Sequence, residues 1–122
     1  MELNKDIESQ KKLASQWFKS LRDDFCKTFE KLDQKKFSRK SWNHKGEGGG
    51  EMSVMRGDVF EKVGVNISTV SGEFSEDYRA QVKGTQESPK YWATGISLVA
   101  HMMSPKIPCL LYTSDAADDM QC

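Results

Sequence analysis

From Leu3 to Leu32 the apolar residues fall at helical spacing: Leu3, Ile7, Leu13, Ala14, Trp17, Phe18, Leu21, Phe25, Phe29 and Leu32. Lys, Arg, Asp and Glu fill many of the positions between them, and no Gly or Pro interrupts the run. A period near 3.6 sustained this long predicts one amphipathic helix whose aromatic stripe lies on a sheet. Such a stripe also suits a partner surface, but burial against the chain's own sheet is its ordinary use.

The pattern changes after Leu32. Phe37 to His44 mixes aromatic and polar residues as a short strand or extended connection does, and the glycine run beginning at Gly46 predicts a mobile loop. Beyond it, Met52, Val54, Val59, Val63, Val65, Ile67 and Val70 stand among Gly57, Gly64 and Gly72, which reads as short strands divided by turns. Ser75, followed by Glu76 and Asp77, caps an expected short helix through Val82 that Gly84 ends, and Thr85 to Lys90 reads as a polar loop around Pro89. From Trp92 to Met102 the residues alternate. Trp92, Thr94, Ile96, Leu98, Ala100 and Met102 form one side of a strand, and Ala93, Gly95, Ser97, Val99 and His101 the other. Ser97 and His101 therefore share a face, roughly 13 Å apart at strand rise. No internal repeat is visible.

A length of 122 residues with 37% hydrophobic and 30% charged residues suits one small domain with a single core. No apolar run reaches the roughly 18 residues needed to cross a bilayer, and the polar start lacks the apolar stretch of a secretory signal. A cytoplasmic protein is expected. Cys26, Cys109 and Cys122 are odd in number and widely spaced, which suits free thiols rather than a disulfide framework or a zinc site. The Asn66-Ile67-Ser68 sequon has meaning only in a secreted chain and is set aside. The 18 basic and 18 acidic residues cancel, so there is no broad footprint for nucleic acid. Three of the acids lie beyond residue 108, and the remaining body is mildly basic, which suits an anionic small molecule.

Candidate chemistry is sparse. The glycine run lacks the Gly-Lys-Ser/Thr ending of a phosphate loop and sits in no strand-to-helix dinucleotide fingerprint. Arg56 can pair with a carboxylate, although a solvated charge is the simpler reading. The two histidines, His44 and His101, have no second ligand at metal-binding spacing, and Ser97 has no neighbouring base to make it a nucleophile. From the residues alone both His101 and Ser97 stay unassigned.

Two longer segments change that. The run from Gly46-Glu47-Gly48-Gly49-Gly50-Glu51 to Phe60-Glu61-Lys62-Val63-Gly64-Val65-Asn66-Ile67-Ser68 is followed by Tyr91-Trp92-Ala93-Thr94-Gly95-Ile96-Ser97-Leu98-Val99-Ala100-His101 and Ser104-Pro105-Lys106-Ile107-Pro108. In that order they resemble the oxygen-dependent coproporphyrinogen III oxidases of the bacterial type. The resemblance implies an α+β fold in which helices flank an antiparallel sheet, and a cytoplasmic homodimer. It implies oxidative decarboxylation of two propionates of coproporphyrinogen III to vinyl groups, giving protoporphyrinogen IX in heme biosynthesis. Molecular oxygen is then the electron acceptor, without an organic cofactor. Ser97 takes the place of the family's substrate-contacting serine, and His101 that of a histidine assigned to a divalent-metal site. A hydroxyl can hydrogen-bond a propionate or pyrrole, and a neutral imidazole can ligate a metal.

The resemblance covers residues 1 to 108, the front portion of a family chain. Leu111 stands where the family's proton-donating histidine is expected, so no catalytic residue is assigned and no turnover is expected from this chain. Residues 109 to 122 instead resemble the translation of a transposon-end adapter used in sequencing libraries, and are expected to be a non-native tail. A sheet cut short is expected to expose an edge and an apolar face, favouring aggregation. Two other readings stay open: a non-catalytic module that binds an anionic tetrapyrrole on the Ser97/His101 face, and an interaction protein built on the aromatic helix stripe.

Overall fold

A computed structural model describes residues 2–75 and 89–118. Helix α1, Glu2–Asp33, matches the expected span, but the seam it buries is narrower than its apolar stripe. Phe18, Arg22, Cys26, Phe29 and Asp33 are buried, at spacings of three and four, whereas Leu13, Trp17 and Leu32 are at least 60% exposed. The reading of the whole aromatic stripe as core-facing is therefore corrected: those three side chains lie off the seam. The helix ends where Gln34 turns into the left-handed region at φ 54°, its N–H donating to the Glu30 carbonyl at 2.7 Å. The Glu30 carboxylate then accepts the Phe37 N–H at 2.9 Å and aims the chain into the sheet.

Five strands follow: β1 (Ser38–Asn43), β2 (Glu47–Met55), β3 (Phe60–Glu73), β4 (Lys90–Met102) and β5 (Leu110–Asp118). They form one antiparallel sheet with strand order equal to chain order. The expected α+β architecture is present. Two expectations about its parts are corrected. The glycine run is not a loop, because Gly48, Gly49 and Gly50 lie within β2, paired to Val70, Thr69 and Ser68. Backbone pairing holds this run in the sheet where glycine's own propensity does not, with Gly48 itself at φ 83°, a conformation that suits glycine. Gly64 likewise marks no turn but sits inside one 14-residue strand. The helix expected from Ser75 to Val82 lies, beyond Ser75, outside the described residues. Residues 110–118, expected to be a foreign tail, pair along β4 as β5.

The core fills the space between α1 and one face of the sheet. Met55, Phe60, Val63, Val65, Ile96, Leu98 and Ala100 pack there under Phe18, Cys26 and Phe29. Phe29 meets Phe60 edge-on, with centroids 5.1 Å apart at 81°. One turn further along the same seam, the Asp33 carboxylate accepts the N–H groups of Asp58, Val59 and Phe60, at 2.9 Å to the first and last. These bonds, the Phe60 one foremost, hold its pKa below the ordinary carboxylate range. They fasten the β2–β3 turn to the end of α1. Arg22, also in the seam, bridges Asp23 at 2.7 Å and Glu51 at 2.6 Å, and Arg39 reaches Asp23 at 3.2 Å. Burial works against the Arg22 charge, but the bonds to Asp23 and Glu51 outweigh it and raise its pKa.

Candidate functional site

Strand alternation divides the sheet into two faces with different chemistry. The face under α1 takes the core residues and the Arg22–Asp23–Arg39–Glu51 charges, which neutralise one another. The opposite face is open, and both site residues expected from the sequence, Ser97 and His101, lie on it. Their common face was therefore legible from the alternation of β4.

Register lines residues up in rows across this open face. One row is Trp42, Gly50, Ser68, Gly95 and Asp115, from β1 to β5. Between the indole at one end and the carboxylate at the other, nothing larger than a serine stands above the backbone. The next row is Lys40, Met52, Asn66, Ser97 and Thr113, with Asn66 directly opposite Ser97. The two rows enclose a shallow depression of about 240 Å³ lined by Trp42, Asn66, Ser68, Gly95, Ser97 and their neighbours. The indole lies flat on Gly50: a Cβ there would come within 2.6 Å of its Cζ2. Asn66 and Ser97 are half-buried, yet neither side chain makes a hydrogen bond among the described residues. Their donors are left for water or a ligand.

The charges on this face have one sign over four strands. Lys40 and Lys62 project from it, and in the paired positions of β1–β4 no carboxylate does; Glu61 sits in the bulge before Lys62. Asp115 on β5 is the acid at the far end. His101 is exposed and its cross-strand neighbour is Lys62. Among the described residues no three His, Cys, Asp or Glu side chains come together, so His101 has no second metal ligand here. A single imidazole beside an ammonium does not hold a divalent ion, and these residues do not fit a metal centre on their own.

His44 has a different use. Its Nε2 lies 2.6 Å from the Tyr91 hydroxyl, and Tyr91 stacks on Phe74 with centroids 4.7 Å apart. This is the structural, hydrogen-bonded role that a lone histidine commonly takes. Arg56 is exposed and makes no ion pair among the described residues, as a solvated charge does. A larger cleft of about 640 Å³ opens where the first turns of α1 meet the end of the sheet, lined by Lys11, Lys12, Glu47, Lys90 and Trp92 among others. Its cations and acids are mixed, and it contains neither Ser97 nor His101.

Sequence reasoning did not single out Trp42 or Asn66. The signal for Asn66 was available: Val63, Val65 and Ile67 alternate as core residues, which puts Asn66 on the Ser97 face. Trp42 was not legible, because its place depends on Gly50 being in a strand.

A family profile described as Coproporphyrinogen III oxidase matches residues 13–114. Curated relatives named oxygen-dependent coproporphyrinogen-III oxidase include those of Rickettsia felis, 51% identical, Rickettsia akari, 50%, and Rickettsia prowazekii, 49%. Each alignment runs over 114 residues and takes in 85% of this chain but only 41% of the relative. The chain thus spans less than half the length of the proteins it matches. On the profile and on identities near one half, it belongs to the coproporphyrinogen III oxidase family.

Proposed function

We propose that this chain is the front portion of an enzyme that oxidatively decarboxylates propionates of coproporphyrinogen III, with Ser97 contacting the substrate. The observation that carries the reading is the open face of β4, where Ser97 makes no side-chain hydrogen bond among the described residues and shares its face with Lys40 and Lys62. By balance, each step converts a propionic acid side chain and O2 to a vinyl group, CO2 and H2O2. The two electrons leave the side chain with the β-hydrogen, and oxygen accepts them without an organic cofactor. Within this reading His101 would be one imidazole donor toward a divalent ion, a centre that the described residues do not complete. The intact protein is a cytoplasmic homodimer, and residues 109–122 are a non-native tail.

The chain itself holds substrate without turning it over, because Leu111 offers no proton where the family's histidine is expected. Among the described residues no helix is long and apolar enough to cross a membrane. The test is titration with coproporphyrin III, the stable oxidised form of the substrate, beside oxygen uptake with coproporphyrinogen III. Stoichiometric binding lost in Ser97→Ala, with no oxygen uptake, is expected. Failure of the unmodified chain to bind removes the reading, and turnover by it removes the claim of inactivity. Sequencing the source gene outward across codons 107–109 tests the tail, since a frame that continues as Cys109-Leu110-Leu111 in the genome overturns its foreign origin.

A further inference from the structure

We propose that the depression floored by Ser68 and Gly95 seats one propionate-bearing pyrrole ring, with Trp42 as its wall and Asn66 as a second substrate-positioning residue beside Ser97. This rests on the reading of the Ser97 face given above and adds to it the residues that recognise the ring.

Three observations converge on this trench. Its floor runs from Ser68 on β3 to Gly95 on β4, one strand spacing of about 4.8 Å, in which only the Ser68 side chain rises above backbone, so the edge of a flat ring can lie against the sheet. One end is closed by the indole that lies on Gly50, a surface against which a ring packs. Along its side, Asn66 and Ser97 face each other in register, with Cα atoms about 5 Å apart in such a pair. A carboxamide N–H and a hydroxyl so placed can donate together to the two oxygens of one carboxylate.

Two cations share the face on which the ring lies. Lys40 continues the Asn66–Ser97 row toward β1, and Lys62 lies on the same strand as Asn66, four residues away. Each lysine stands roughly 13 Å or more from Ser97 at strand spacing and rise, so the pair gives this face a general attraction for carboxylates rather than a direct contact.

The test is titration of the full 122-residue chain with coproporphyrin III, followed by the porphyrin absorption band and by quenching of tryptophan fluorescence. Asn66→Ala removes one donor and should weaken binding about three- to tenfold. Ser68→Ile fills the trench with a side chain that strands favour, so the fold is retained while binding falls tenfold or more. Far-UV circular dichroism and the thermal midpoint of each variant confirm that it folds. Trp42→Ala should abolish most of the fluorescence quenching. If Ser97→Ala weakens binding while Asn66→Ala and Ser68→Ile bind as the parent does, the trench is overturned and the Ser97 reading stands. If Ser68→Ile alone weakens it, Asn66 has no positioning role. If the parent chain does not bind coproporphyrin III, both proposals fall.

Discussion

Replacing Phe29 by Ala should cost the chain about 4 kcal/mol, because Phe29 is the point at which the helix seam meets the start of β3. The ring is 8% exposed and its partner Phe60 is 6% exposed, so either truncation leaves a cavity that close neighbours cannot fill. Buried Phe→Ala substitutions fall at about 3–5 kcal/mol, against a total stability on the order of 5–15 kcal/mol for a domain. At this size each kcal/mol moves the thermal midpoint by about 4 °C, so a drop of about 15 °C is expected. The edge-on geometry adds a specific component that a double-mutant cycle isolates. Phe29→Ala, Phe60→Ala and the double variant should show a coupling of about 0.5–1.5 kcal/mol. Phe29→Leu should retain most of the apolar burial while losing that coupling. The assay is urea unfolding followed by circular dichroism and by tryptophan fluorescence, with coincident transitions as the check on two-state behaviour. A loss below about 1 kcal/mol for Phe29→Ala, or zero coupling in the cycle, would refute the argument that this pair joins helix to sheet.

Asp33 has a folded pKa below its unfolded one, so its contribution is complete above the ordinary carboxylate range and is lost as pH falls through about 4 and below. Asp33→Asn should lower the urea midpoint at pH 7 and flatten its decline between pH 5 and about pH 3; an unchanged acid limb contradicts this assignment. Ser53 is completely buried with no partner for its Oγ, so Ser53→Ala should raise stability by about 1 kcal/mol, and a fall in the urea midpoint would contradict it. Cys26 is buried and its thiol is pushed up from the ordinary value by that burial, whereas Cys109 is exposed. Iodoacetamide at pH 8 followed by peptide mass analysis should therefore label Cys109 and leave Cys26 unlabelled until urea is added.

The elements legible in the sequence are those whose pattern is self-contained. Helix α1 has thirty-two residues with one periodicity and no breaker, and β4 alternates without interruption, so its two faces and the shared face of Ser97 and His101 followed directly. The glycine-rich β2 was not legible, because a glycine's local preference points to a loop and only its neighbours in the sheet overrule it. Gly64 misled in the same way, placing a turn inside β3. The exposure of Trp17 depends on how wide a strip of α1 the sheet can cover, which no helical periodicity states. Pairs such as His44 with Tyr91, or Asp33 with Asp58–Phe60, join residues 47 and 25 to 27 positions apart, so neither partner signals the other locally.

The sheet's strand order repeats the order of the chain, and this gives the molecule a route to its fold. Each strand pairs with the one made just before it, so the sheet can grow hairpin by hairpin with only short loops to close between β1, β2 and β3. The glycines of β2 offer little side-chain surface to drive that growth, and it depends instead on the backbone ladder and on Asp33 drawing the β2–β3 turn to the helix. The α1 end near Phe29 and Phe60 is thus joined by segments early in the chain, whereas the row that holds Ser97 requires β4 to pair with β3. The face that carries Ser97 and His101 therefore depends on pairings that come late in chain order.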